Sequence, residues 1–528
     1  MPEHDAARTH ARIGLATALA LGVACRLPWL GAVPSPAGDE GNWAWFGYNL
    51  SVGWPVVMAP EARFVPLTYA YLIAGSYKLF GPSFAAARAV PTAGVLAGLI
   101  AAWALARRLG MPRAAVAMAL ALALHPWSVA WSRTVTVPYA LSLALAVVGP
   151  LAFLDALRTR SPWRMLLAAQ LLGGALHFSP LAAIPIVACA LHSFASERPR
   201  GWNLLAALTC ALHVVPMALA AHGAVVVYNG RPRYYFTQFP LRLYVFLRAY
   251  LGSVDGEATL RHFTATEAPL ALELTLAAVV VAFFAVSLRH SATNPALPLA
   301  RYTRIHAVVA LLGLPLMLAA GRPWNLPAID AERYGFVAVA PFVLALGALA
   351  EQALPTRRLA AAALVAFCAL PTARWGWFFA RGGSPDRGFY TLAGGGGYRG
   401  WKVPREHEAL AVLVRREVDR LRGDAPATLV MADYAFHPFH FVNADHGSFV
   451  VDIMKSSLPA RPGQLHAFVL WSEGLIARDY FPHSDVEGND RLRALMHAGS
   501  FTALRRVRVF KQPDGSPLCE LWAAMRRQ

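Results

Sequence analysis

Two acids stand side by side at Asp39 and Glu40, within Pro36-Ala-Gly-Asp39-Glu40-Gly-Asn-Trp43-Ala-Trp45-Phe46. Adjacent carboxylates raise the pKa of one of the two, which suits a group that must take up a proton. The plain local alternative makes Asp39 a helix N-cap and Glu40 a solvated first-turn acid. Arg63, Arg133 and Arg333 lie far from that pair in sequence, in the company of Glu61, Asp330 and Glu332. A guanidinium grips phosphate oxygens with parallel N–H groups, so acids and arginines gathered at one membrane face suit work on a lipid headgroup. For each arginine the plain alternative is a headgroup anchor.

The elements that must carry these groups are membrane spans. Of 528 residues 57% are hydrophobic and 15% charged, with a mean hydropathy of +0.43. A soluble chain keeps roughly a quarter of its residues charged. Apolar runs of about 18 or more residues, enough to cross a hydrocarbon layer about 30 Å thick, recur along the chain. Spans are expected at about 12–33, 85–106, 114–132, 137–156, 164–178, 180–195, 202–222, 269–288, 304–320, 334–352 and 359–379. The run 66–80 is apolar but short and is expected to lie at the interface or re-enter. On that basis the arginine pairs at 107–108, 158–160, 198–200 and 357–358 all fall in inside loops, as the positive-inside bias requires. The result is a polytopic α-helical membrane protein of about 11 transmembrane helices, in a bacterial inner membrane, with a cytoplasmic N-terminus and an outward C-terminus. Arg26, near the outer end of the first span, is expected to snorkel.

Residues 1–380 form the membrane domain, with 34–84 as a first outer loop carrying interfacial helices. There Trp43, Phe46 and Leu50 share one helical face and read as an interfacial anchor. Residues 381–403, including the glycine run before Tyr398, form a linker, and 404–528 form a small outward-facing α/β soluble domain. In that domain Pro513-Asp514-Gly515 supplies the turn between two strands of a hairpin. The net charge of +18 sits largely in loops between spans, so it reports topology, and no nucleic acid is expected as a partner. Cys519 alone lies in the tail, which excludes an internal disulfide there. His437 and His440 invite a metal, but Pro438 between them argues against a helix presenting both. His125 and His177 sit in no recognisable metal spacing, so no metal ligands are assigned; a divalent metal stays open as an alternative that no ligand spacing supports, and no other cofactor is implied.

From Arg26 onward the chain resembles the lipid-linked-sugar glycosyltransferases of the GT-C superfamily, of the dolichyl-phosphate-mannose-protein mannosyltransferase and aminoarabinose-transferase type. The resemblance begins at Arg26-Leu27-Pro28-Trp29-Leu30-Gly31 followed by Asp39-Glu40-Gly41, an arginine-bearing first span leading to an acidic pair. It continues through Phe64-Val-Pro66-Leu-Thr-Tyr69, Lys78-Leu-Phe-Gly81 and Ala87-Arg88-Ala-Val-Pro91. His125-Pro126, Ser132-Arg133, Gly173-Gly-Ala-Leu-His177 and Glu332-Arg333-Tyr334 follow in family order.

That resemblance implies a GT-C-like membrane domain, a polyprenyl-phosphate-linked sugar donor, and transfer to an acceptor (glycan, lipid or protein) on the outer face. Phosphate is already a good leaving group, so the protein must supply cations for its charge and one carboxylate for the acceptor proton. A single displacement with one base inverts the anomeric centre. Asp39 is expected as the catalytic base with Glu40 beside it, and Arg63, Arg133 and Arg333 as ligands of the donor phosphate. Glu61, Trp43, Tyr69 and His177 are expected to line the acceptor or substrate site. Two other readings stay open: a lipid or small-molecule transporter or flippase, marked by polar groups through the midplane, and a membrane scaffold acting through its tail.

Overall fold

Proline and serine punctuate the helices of the membrane domain. Ser83 caps α4 by accepting the Ala86 N–H at 3.1 Å, and Pro112, Pro126 and Pro162 open α5, α6 and α8, where a missing N–H costs nothing. The computed structural model describes residues 2–28, 30–31, 39–53, 67–135, 138–194, 206–216, 239–256, 298–321, 333–353, 404–423, 427–431, 448–452, 465–471, 501–511 and 517–526, with 278 and part of 490–497.

Within them the membrane domain runs α1 (Pro2–Arg26), α2 (Asp39–Ser51), α3 (Thr68–Phe80), α4 (Phe84–Arg108), α5 (Pro112–Leu124), α6 (Pro126–Ser132), α7 (Tyr139–Thr159) and α8 (Pro162–Ala175). After a short 3-10 turn come α9 (Ala183–Phe194), α10 (Ala206–Pro216), α11 (Phe239–Asp255), α12 (Pro298–Gly321) and α13 (Phe336–Ala353). Among the described residues, α4 and α7 are long and apolar enough to cross a bilayer, and α5 with α6 makes a third, bent candidate. The expected spans at 269–288, apart from residue 278, and 359–379 lie outside the described residues.

Three expectations change. The stretch 114–132 is not one straight span: α5 and α6 meet at 54° across His125, because Pro126 cannot continue the hydrogen-bond ladder. The first helix begins earlier than expected and ends at Arg26, after which Leu27, Pro28, Leu30 and Gly31 lie in a bend and turns. Arg26 does not snorkel; it points into the bundle and is fully buried. The short run 68–80 forms α3, whose 13 residues rise about 20 Å, less than the hydrocarbon thickness.

The core is built from α5, α7 and α13, whose small residues let the backbones close. A Cβ on Gly98 would lie 2.6 Å from that of Ala144, so α4 and α7 cross in contact at that glycine.

In the C-terminal region α14 (Pro404–Arg422) precedes β1 (Ala427–Met431), β2 (Ser448–Asp452), β3 (Leu465–Trp471), β4 (Phe501–Lys511) and β5 (Pro517–Arg526). The sheet order is β2-β1-β3-β5-β4, parallel for β2-β1-β3 and antiparallel beyond. Alternation along β3 sends Ala467 and Val469 toward Val414 and Val418 of α14, and Phe468 and Leu470 toward Leu492 and Met496. The hairpin expected from the Pro513–Gly515 turn is β4–β5; β2, a five-residue strand, was not anticipated.

Candidate active site

The acidic pair opens α2. Gly47 lets this helix settle on α3, since a Cβ there would fall 2.3 Å from Ile73 Cγ2. Trp43 packs edge-on against Tyr69 at 5.2 Å and against Phe46 at 5.8 Å. Trp43 and Phe46 are 7% and 5% exposed, so the expected interfacial anchor faces inward: the apolar stripe of α2 finds α3 and α4 before it finds lipid.

Glu40 is held from three directions. Arg88 of α4 donates Nε to Oε1 at 3.0 Å and Nη2 to Oε2 at 2.7 Å, and the Val135 N–H reaches Oε1 at 2.6 Å. The remaining Arg88 arm donates Nη1 to the Leu30 carbonyl at 2.9 Å. Desolvating two ions costs several kcal/mol each, about what a fork-to-fork pair with a further N–H donor recovers. Both Glu40 oxygens are thus engaged, an arrangement unlike the free carboxylate expected at this position. Arg88 carried no expected role, although an arginine five residues into an apolar helix was the available signal.

Arg133 follows α6 and turns toward α1. Its Nη1 donates to the Cys25 and Arg26 carbonyls at 2.8 and 3.1 Å, and Nη2 to the Pro28 carbonyl at 2.7 Å. These carbonyls at the end of α1 have no partners within the helix, so the guanidinium caps it. Arg133, expected at the donor phosphate, makes these three contacts to backbone carbonyls. Beside it, Thr92 of α4 donates Oγ1 to the Ser132 carbonyl at 2.8 Å, tying α4 to the end of α6.

Tyr69 lies against this lattice, fully buried, and its hydroxyl has no hydrogen-bond partner among the described residues. Burial, then the Glu40 carboxylate, then Tyr77 push its phenol well above its ordinary pKa, so it stays neutral. Thr68, one residue earlier, meets His177 Nδ1 at 3.0 Å; His177 Nε2 meets His213 Nδ1 at 3.1 Å, and His213 Nε2 meets Gln170 Oε1 at 2.8 Å. With the Gln170 oxygen accepting, one set of neutral tautomers satisfies every link, running from the Thr68 hydroxyl to Gln170. His125 is structural: Nδ1 accepts the Trp127 N–H at 3.2 Å, which leaves Nε2–H for the Val254 carbonyl at 2.6 Å.

The structure therefore gathers Glu40, Trp43 and Tyr69, with His177 joined to the residue before Tyr69. Asp39 begins α2, but its side chain lies outside the described residues, as does that of Arg333, which opens the 3-10 turn before α13. Glu61 and Arg63 lie wholly outside them. Among the described residues no three His, Cys, Asp or Glu side chains converge as metal ligands.

Residues 65–223 match the family model described as dolichyl-phosphate-mannose-protein mannosyltransferase. No curated protein sequence matches the chain significantly. The oligosaccharyltransferase of Archaeoglobus fulgidus tethered with an acceptor peptide superposes with a TM-score of 0.52 at 15% identity, covering 98% of this chain and 74% of that one. AglB from the same organism, in complex with an inhibitory peptide and a dolichol-phosphate, gives 0.51 at 14% identity over 99% and 74%. ArnT from Cupriavidus metallidurans bound to undecaprenyl phosphate covers 97% of both chains at 15% identity, with a TM-score of 0.44. At these identities the likeness to solved structures is one of fold. The family match falls on α3 to α10, and the fold of the chain is like that of the two archaeal enzymes.

Proposed function

We propose that the chain moves a sugar from a polyprenyl-phosphate donor to an acceptor at the outer membrane face, by inverting single displacement with Asp39 as the general base. The acceptor heteroatom attacks the anomeric carbon, the bond to the lipid phosphate breaks, and Asp39 takes the acceptor proton. Lipid-linked glycosyl transfer suits the superfamily, and the AglB complex holds a dolichol-phosphate.

The observation that carries the assignment is the three-point hold on Glu40. A carboxylate accepting three hydrogen bonds in a buried arginine fork is fixed in place, with only one acceptor site, on Oε2, left over. Glu40 is therefore a positioning residue: with Arg88 it fixes the first turn of α2 and so the backbone of Asp39. Arg63, Arg333 and Arg133, which also holds the end of α1, are the cations for the donor phosphate. The neutral Tyr69 hydroxyl, His177, Glu61 and Trp43 belong to the walls of the substrate site. The domain from 404 onward shares the outer compartment and helps bind the acceptor or cover the cavity.

Purified protein in lipid vesicles, offered radiolabelled polyprenyl-phosphate sugars with glycan, lipid and peptide acceptors, tests the proposal. Asp39→Asn is expected to keep wild-type thermal stability and lose turnover by roughly 100-fold or more, the scale of a removed general base. Equal turnover by that variant removes Asp39 as base. No turnover by wild type with any donor favours a carrier that moves lipids without chemistry.

A further inference from the structure

The break between α5 and α6 takes two carbonyls out of the helical ladder, and the Ser128 hydroxyl donates to one of them, that of Leu122, at 2.8 Å. In a continuous helix the Leu122 carbonyl would accept from residue 126, which is proline, and the Ala123 carbonyl from Trp127. The Trp127 N–H is taken instead by His125 Nδ1. Both carbonyls lie in the packed interior, where an unpaired acceptor costs about 1–3 kcal/mol.

Arg26 of α1 reaches both carbonyls and supplies the side-chain donor to that of Ala123. It donates Nη1 to the Ala123 carbonyl at 2.7 Å and Nη2 to the Leu122 carbonyl at 2.8 Å. Nε reaches Ser132 Oγ at 2.9 Å, Nη2 also reaches Ser128 Oγ at 3.0 Å, and Nη1 also reaches the Gly22 carbonyl at 3.2 Å. All five guanidinium N–H groups are used, and the partners are carbonyls and hydroxyls, not carboxylates. The negative end of the α5 dipole stands in for a counter-ion. The exchange is reciprocal: Arg26 of α1 holds both sides of the α5–α6 bend, while Arg133, just beyond α6, caps α1. Two residues past Arg133, the Val135 N–H bonds Glu40.

We propose that Arg26 is a positioning residue: by clasping the bend it aims the segment after α6, and through the Val135 N–H it sets Glu40 and the start of α2. Its bearing on catalysis rests on the role assigned above to Asp39; its hold on the segment does not.

Three variants of the full chain in detergent separate the two parts. Each is read by hydrogen exchange over peptides spanning 133–138, by thermal unfolding, and by turnover. In Arg26→Met the Val135 amide is expected to exchange at least about tenfold faster, the scale of one lost charge-assisted bond, while the interior of α7 exchanges as in wild type. Arg26→Lys, with fewer donors, should fall between. Arg26→Met with Pro126→Ala removes the need for the clasp by restoring the residue-126 N–H. It is expected to recover melting temperature but neither Val135 protection nor turnover, because the bend itself is gone. Unchanged Val135 protection in Arg26→Met overturns the proposal, and so does a double variant that regains protection and turnover with stability. Should wild type transfer no sugar, exchange alone still decides the positioning, and only the catalytic reading falls.

Discussion

Arg88 and Glu40 meet inside the membrane domain with 0% and 2% of their side chains exposed; Arg508 and Glu417 meet between β4 and α14 at 48% and 17%. Their closest contacts hardly differ, at 2.7 and 2.6 Å. What differs is the medium. Water and salt screen the second pair, so either partner can be lost at little cost. Nothing screens the first, and each ion there depends on the other for charge balance. A short contact distance therefore says little about importance until burial is known.

The sharpest way to break this contrast is Glu40→Gln, which strands the buried guanidinium. It is expected to lower unfolding free energy by about 3–5 kcal/mol in detergent, whereas Glu40→Leu with Arg88→Met recovers most of the loss by removing both charges. If the double variant is no more stable than the single one, the charge imbalance is not the cause. Next in size, Gly47→Ala should cost about 1–3 kcal/mol by forcing α2 off α3, and Ile73→Ala in the same chain should relieve it. The smallest effect belongs to the exposed pair: a double-mutant cycle on Glu417 and Arg508 is expected to give a coupling of only about 0.2–1 kcal/mol.

Acid sharpens the same comparison. The Arg508 and Arg420 hydrogen bonds hold the Glu417 carboxyl below its ordinary 4.5. A depressed folded pKa means the contribution is complete above pH 4.5 and drains away as pH falls through the lower, folded value. Thermal unfolding of the C-terminal domain, followed by hydrogen exchange in the full chain, should show a slight loss below that pH, absent in Glu417→Gln.

Several features were legible along the chain because they depend on local chemistry. The short apolar run at 66–80 and the hairpin around Pro513–Gly515 follow from length and turn residues. Pro126 was equally visible, yet a run of alanines and leucines on its N-terminal side suggested one span; where a proline bends a membrane helix depends on which neighbour can satisfy the freed carbonyls. β2 escaped notice because five residues, Ser448–Asp452, carry too little pattern to stand out before β1 is there to pair with. Arg133 follows a helix end, but its direction, toward the carbonyls of α1, could not be read from a loop position.

Composition and the spacing of apolar runs determined the class of molecule, because crossing a bilayer is a length requirement that each segment meets by itself. The residue types also marked charged groups such as Glu40 and Arg26 as ones that need partners when buried. Which acid meets which arginine was decided in three dimensions. Glu40 and Arg88 are 48 positions apart, and Arg26 and Ser132 are 106 apart. Partners at such separations are chosen by helix packing and by the cost of leaving a buried charge or carbonyl unpaired, neither of which has a signature in local sequence.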